Sequence, residues 1–553
     1  MSRKHVLIGV IAWGIFAFGY PSSIHLLLAF SILVLVPLVF GLTYRQTKPR
    51  DWFVRLQPTF SIIGAGSLLF EPGIVSGLLA GSWLGFTMWA AMIGFSRASV
   101  RGFRRVEENA IDAAYLYMVV GGLWLVISRT GMDFLPFSDV IVLLTAVHFH
   151  YSSLIVPITA GLLGRYIHKK NERIRGYTLL TTLVIIGPLL VGIGISVGGI
   201  LDISSVIVYS VAFIWLAVES IRIMIRSNDR FLARFLIGMG STLSIIAMLF
   251  SVVYSSGVSF GQSFLSIQQM VRYHGFVQAF GFSLLILIGW SILRPLPMYE
   301  YGRFRLSRLR GRFRIGQAFL QETSILRPEQ SVRGLIDSFS VFKQEAFDPE
   351  NVQKEIRLFY EDTNNYEMVA VTKWHGLYKP LSHLYHWVTG HLGQLHLQAS
   401  QKTPKEQKMD ATIYAIDESI DGRHPVRAWI RKDRLTSKDI FIAFYAYYQT
   451  NQQIYMDIAL PLPFSVMTGI LRPQHDESNG LILTSFRKPS LLGDEGVYLT
   501  IGKWTFRLPI EEYFHVKATE VKGKLTAVHE LHFLGLRCLT IDYEITCKLS
   551  KQL

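Results

Sequence analysis

Two histidines, His148 and His150, sit inside VLLTAVHFHYSSLIVP (142–157), an otherwise apolar run. A third, His274, sits in VRYHGFVQAFGF (271–282), with Gln278 four residues on. An imidazole can relay a proton, ligate a metal or hydrogen-bond a polar ligand. Ionisable side chains inside a bilayer are costly, so each one marks a functional candidate. His148 and His150 are two apart, about 200° around a regular helix, and cannot share one ion. His274 and Gln278 share one helix face. The competing structural reading has the rings donating to backbone or hydroxyl groups between packed helices, with Tyr151, Ser152 and Ser153 as nearby partners.

Only membrane helices can position such residues. About 20 apolar residues cross roughly 30 Å of hydrocarbon. Spans are expected near 5–20, 24–43, 53–70, 73–95, 109–128, 138–164, 177–199, 203–225, 232–255 and 268–293. The basic start MSRK before an apolar run resembles a signal peptide, but it is read as a retained first helix because a second span follows at once. His148 then lies about 15 Å in from the outer end of span six, and His274 about 10 Å below the outer surface in span ten. Both rings are expected to meet at similar depth.

The loops test that count. Arg45, Lys48 and Arg50, then Arg97, Arg101, Arg104 and Arg105, then RYIHKKNERIRG (165–176), RIMIRSNDR (222–230) and the segment after 294 form one set. The intervening loops PSSIH, EPG, RTGMDFLPFSD, GGILD and SSGVSFGQ hold one arginine and no lysine. Basic and non-basic loops alternate, so the positive-inside rule places both termini in the cytoplasm. The residues at the predicted inner side form a second polar set: Glu107, Glu108, Asp112 and Glu219. They read as interfacial ion pairs or, more sharply, as an inner gate. Pro157 and Pro188 are expected to kink spans six and seven.

RFRLSRLRGRFR (303–314) alternates arginine with apolar residues and places Arg303, Arg305, Arg308, Arg310, Arg312 and Arg314 beside the last span. Such a segment suits anionic lipid headgroups. The chain is 50% hydrophobic, 17% charged and +15 in net charge, and the basic excess fits membrane loops rather than nucleic acid. Cys538 and Cys547, if on one strand, stand about 30 Å apart and cannot pair.

The fold class expected is an α-helical polytopic membrane bundle over 1–295, a basic juxtamembrane linker over 296–330, and a cytoplasmic α+β domain over 331–553. Its β-rich part, 409–550, carries about ten strands separated by turn signals, an antiparallel barrel or sandwich. A closed barrel can hold one apolar small molecule or be filled by side chains. WHGLYKPLSHLYHWVTGHLGQLHL (374–397) is amphipathic and aromatic. His383 and His386 there are a weak metal pair, three apart on a helix with no Cys, Asp or Glu to complete a zinc set.

HFHYSSLIVP in span six and YHGFVQAFGF in span ten, within about ten spans, resemble the YndJ-like bacterial membrane proteins. NNYEMVAVTKWHGLYKP and IALPLPFSVMTGIL resemble the C-terminal extension of Bacillus members. The resemblance implies a multi-pass plasma-membrane protein of a family whose role is uncharacterised, sometimes labelled a transporter. It supplies no catalytic residues.

Three functional readings follow. The first is a transporter-like or ligand-handling protein with its polar site between spans six and ten. The second is a haem- or metal-binding redox protein using the histidines. An H-x-H spacing carries haem ligands in haem-copper oxidases, but their adjacent histidine pair and H-P-E-V-Y segment are missing here. The third is a sensor or scaffold with a lipid-binding cytoplasmic barrel. No Walker A, G-x-S-x-G or H-E-x-x-H pattern points to a soluble-enzyme chemistry, and no cofactor is implied. Inverted repeats typical of transporters are not evident in the sequence.

Overall fold

Apolar runs of helical length become helices throughout the first 293 residues. The computed structural model describes residues 3–19, 22–44, 51–103, 105–131, 137–299, 304–403, 405–450, 452–487 and 493–548. The helices are α1 Arg3–Gly19, α2 Ser23–Thr43, α3 Trp52–Gly66, α4 Ile74–Arg101 and α5 Val106–Thr130. There follow α6 Asp139–Tyr151, α7 Ile155–Lys169, α8 Tyr177–Val197, α9 Ile200–Arg226, α10 Phe231–Ser259 and α11 Ile267–Leu293. Counting α6 and α7 as one span, 8 of these are long and apolar enough to cross a membrane. Ten were expected. The shortfall lies in α1, with 17 residues, and α3, with 15. At 1.5 Å per residue these reach only about 26 and 22 Å. Arg45, Lys48, Arg50 and Arg104 lie outside the described residues.

Span six is broken rather than kinked. The chain leaves the helix at Ser152–Leu154 and re-enters it at Ile155. Pro157 thereby falls in the first turn of α7, where a missing N–H has no helical acceptor to lose. Pro188 stays inside α8. Two other helices widen locally into i→i+5 turns, α2 at Ser31–Leu35 and α11 at Val271–Gly275 and Val277–Leu284. Wide turns of this kind cost backbone geometry and recur at functional sites.

The chain divides into two compact units, with the main break between Met298 and Tyr299. The second unit is built on twelve strands: β1 Tyr366–Trp374, β2 Glu406–Ala415, β3 Val426–Asp433, β4 Asp439–Thr450, β5 Gln453–Leu462, β6 Ser465–His475, β7 Leu481–Thr484, β8 Gly496–Ile501, β9 Trp504–Arg507, β10 Ile510–Ala518, β11 Lys524–Phe533 and β12 Leu536–Cys547. Ten of them close a ring in the order β5-β4-β3-β2-β1-β12-β11-β10-β7-β6, with β6 returning to β5 at Ala459↔Thr468. Every pairing in the ring is antiparallel. The β8–β9 hairpin branches from the free half of β6. A closed, even-numbered antiparallel ring leaves no edge to aggregate. Both cysteines lie on β12 and form no disulfide.

β1 lies upstream of 409–550, where the sequence places the β-rich part. YEMVAVTKW alternates buried and half-buried residues, and it is inserted between β12 and β2. The helices that remain are short: α12 Gln317–Thr323, α13 Lys354–Glu361 and α14 Tyr378–Leu392. The last one exposes Leu381, Leu384 and Trp387.

Strand β4 explains why its sequence is apolar without alternation. Phe441, Ala443 and Tyr445 join a core with Phe339, Phe342 and Phe359, while Ile442, Phe444 and Ala446 pack on the opposite face with Leu309, Ile315 and Phe319. Both faces are buried. The basic segment therefore belongs to the barrel unit. It runs extended, with Gly311 N donating to Leu462 O at 3.1 Å and Phe464 N donating to Gly311 O at 2.8 Å.

Candidate functional site

The helices of the first unit line a partly open cavity of about 340 Å³. His148 and Tyr151 reach it from α6, and His274 and Gln278 from α11. Spans six and ten therefore meet, and four of the five expected residues line one space. The wide turns of α11 carry both His274 and Gln278.

His150 does not join them. It lies on the opposite face of α6, buried at 1% exposure. Its Nδ1 donates to Ala146 O at 2.8 Å, and its Nε2 accepts from the indole N–H of Trp83 at 2.9 Å. A carbonyl only accepts and an indole N–H only donates, so the ring is neutral with its proton on Nδ1. Gly121 gives it room, since a Cβ there would stand 2.8 Å from Nδ1. His150 is thus a satisfied packing residue.

His148 uses the same local device with a different outcome. Its Nδ1 donates to Leu144 O at 2.8 Å, one turn back. His274 Nδ1 is shared between Ala247 O at 2.8 Å and Ser251 Oγ at 2.9 Å. Neither Nε2 has a protein partner among the described residues. Gln278 is 8% exposed, and both its amide oxygen and nitrogen lack a partner. A buried amide left unpaired costs about 1–3 kcal/mol. Tyr151 is different, because its hydroxyl donates to Leu27 O at 2.7 Å.

Sequence reasoning missed Asp202, Tyr209, Ser251 and Tyr254 in the same wall. Asp202 was placed in a loop before span eight, whereas α9 begins at Ile200 and puts it in the first turn. Its signal was an acid at the start of a long apolar run. Tyr209 and Ser152 are linked across the wall, Ser152 Oγ donating to Tyr209 Oη at 2.8 Å.

The inner polar set separates in two. Arg165 holds Glu108 with a pair of bonds, Nε at 2.6 Å and Nη2 at 2.7 Å. Arg97 reaches Glu108 at 3.2 Å and Asp112 at 3.1 Å. Glu107 sits 3.9 Å from Arg105. These residues tie α4, α5 and α7 together. Gly164 permits the approach, because a Cβ there would stand 2.5 Å from Glu107 Cβ. Glu219 takes no part; it pairs with Arg222 at 2.6 Å.

Arg303 lies outside the described residues. Arg305, Arg308, Arg312 and Arg314 are exposed, and Arg310 donates to Gly502 O at 3.2 Å. His386 stacks on His396 at 4.3 Å and donates to Leu397 O, while His383 is exposed. Among the described residues no three His, Cys, Asp or Glu side chains converge as a metal site requires.

A small cavity lies inside the barrel, lined by Trp429, Tyr445, Met456 and Phe514. It measures about 50 Å³, far below the roughly 300 Å³ at which ligand pockets begin. Arg431 lies between the rings of Trp429, at 4.5 Å, and Phe441, at 4.2 Å. Burial pushes the Glu512 carboxyl up to about 7. Burial, reinforced by Arg431, lowers His529 to about 3, and its ring stacks on Phe514 at 3.6 Å.

The pattern that defines the YndJ-like protein family matches residues 26–282. The uncharacterized membrane protein YndJ of Bacillus subtilis (strain 168) is 34% identical over 556 residues, covering 99% of this chain and 98% of that protein. No solved structure matches. The chain is a multi-pass membrane protein and belongs to the YndJ-like family.

Proposed function

We propose that this protein binds a small molecule within its membrane unit, in a transporter-like or ligand-handling role, at the cavity between α6 and α11. The observation that carries the reading is the wall itself. His148 and His274 line about 340 Å³, and neither Nε2 has a protein partner among the described residues; Gln278 lines the same wall with both amide atoms buried and unpaired among the described residues. A polar group buried without a partner persists where something else completes it. The volume lies at the small end of ligand pockets. Among the described residues, a metal or haem reading has no converging ligand set behind it.

The orientation is part of the proposal. Alternating loop charge favours a plasma-membrane protein with both termini and the barrel unit on the cytoplasmic side. It also favours α1 and α3 as spans despite their length. Without α3, the basic loop before it would share a side with EPG, and the alternation would fail. The exposed arginines from Arg305 to Arg314 would then meet anionic headgroups, at about 1 kcal/mol each.

Native mass spectrometry of the full chain in lipid nanodiscs tests the site. Wild type is expected to retain a small-molecule adduct that His148→Phe, His274→Phe and Gln278→Leu together remove. An adduct unchanged in the triple variant would sink the reading.

A further inference from the structure

The cavity also constrains what it holds, a step that rests on the binding role proposed above. His148 and His274 each spend Nδ1–H on a backbone carbonyl, Leu144 O and Ala247 O, both at 2.8 Å. In the neutral ring this leaves Nε2 with a lone pair, which accepts and has no protein partner among the described residues. Asp202 adds a carboxyl group to the same wall. Among the described residues, no lysine or arginine lines it. Beyond a few hydroxyls and Gln278 the surface is aliphatic and aromatic, with Tyr209, Phe213, Tyr254 and Phe282 supplying ring faces.

We propose that the cavity takes a small amphiphile with an amine head. A primary ammonium group has three donors and no acceptor. The wall holds acceptors in His148 Nε2 and His274 Nε2 and an acid in Asp202. Ring faces add cation–π attraction to the head and apolar contact to the body. An anionic head finds no cation here and meets the carboxylate instead. A hydroxyl head has one donor for the same acceptors and binds more weakly.

Three fluorescent probes with one dansyl label and one eight-carbon chain, ending in an amine, an alcohol or a carboxylate, test the assignment. Each is titrated into the full chain in phosphatidylcholine nanodiscs, with empty nanodiscs subtracted for partitioning. The amine is expected to bind saturably, at least ten-fold tighter than the alcohol, and the carboxylate not to bind. Asp202→Asn is expected to remove that ten-fold preference and leave the alcohol unchanged. His274→Phe weakens both. A carboxylate that binds as tightly as the amine overturns the headgroup assignment, as does an alcohol that does so. These wild-type arms decide the matter even where Asp202→Asn fails to fold. No saturable binding by any probe would sink the ligand site itself.

Discussion

The helical unit and the barrel unit treat their polar side chains in opposite ways. In the barrel unit, buried Arg423 gives Nε to Asp421 at 2.7 Å, Nη1 to Asp457 at 2.6 Å and Nη2 to Phe444 O at 3.2 Å. Ser307 from the basic segment completes the cluster by donating to Asp421 at 2.8 Å. On the other face of β5, Met456 and Ile458 line a cavity of only about 50 Å³. In the helical unit, His148 and His274 each leave an Nε2 without a protein partner among the described residues, on the wall of a void near seven times larger, 340 against 50 Å³. A polar group with partners holds a fold together. One that faces a void awaits a partner from outside the chain.

Breaking the paired side should have the largest effect. Arg423→Met would strand two carboxylates, Asp421 at 0% exposure and Asp457 at 1%. Removing one partner of a buried ion cluster costs about 3–5 kcal/mol. Hydrogen exchange of β3–β5 in the full chain reads this loss directly. A cost under about 1 kcal/mol would mean the cluster is solvated, and the contrast with the cavity would fail.

Glu512 is the exception inside the barrel. It is buried at 8% exposure, and burial alone raises its pKa from 4.5 to about 7. A raised carboxyl pKa means the folded state binds the proton more tightly than the unfolded chain. The group's penalty is absent below about pH 4.5, grows as pH rises and is complete above about 7. At about 1.4 kcal/mol per unit the penalty is on the order of 3 kcal/mol. Glu512→Gln should therefore stabilise the barrel at pH 8 and have little effect at pH 4.5. His529 has the opposite sign. Its pKa is lowered to about 3, so its penalty appears as pH falls below 6.5. Comparing variant with wild type at each pH by the same exchange measurement isolates Glu512. A gain that does not grow with pH would show that the carboxyl is hydrated.

Much of this contrast was readable from residue order. His148, His274 and Gln278 announced themselves because a polar group in an apolar run has few innocent places to go. The barrel announced itself through alternation and turn residues. What was hidden depended on three dimensions. Nothing local in FHY distinguishes His150 from His148; the difference is Trp83, 67 residues away. Asp202 was lost to a boundary error of a few residues. The break at 152–154 and the wide turns of α11 follow from packing, which a periodicity of 3.6 does not encode. β1 was missed because its strand pattern sits between helical segments, and its partner β12 lies at the far end of the chain.

The smallest effects should separate the two histidines of α6. His150→Phe removes the acceptor of the Trp83 indole and leaves that donor buried. The cost expected is about 1–2 kcal/mol in the stability of the helical unit, since hydrogen bonds between membrane helices are individually modest. His148→Phe removes only a bond to its own preceding turn and adds apolar surface to a cavity wall, so its cost should stay within about 0.5 kcal/mol. Thermal unfolding in nanodiscs measures both. Trp83→Phe in the His150→Phe background should recover part of the loss, because both partners of the bond are then gone. The opposite ranking, with His148 the costlier residue, would make it the structural histidine. The cavity would then be a packing void, and the contrast between the two units would reduce to one of packing density.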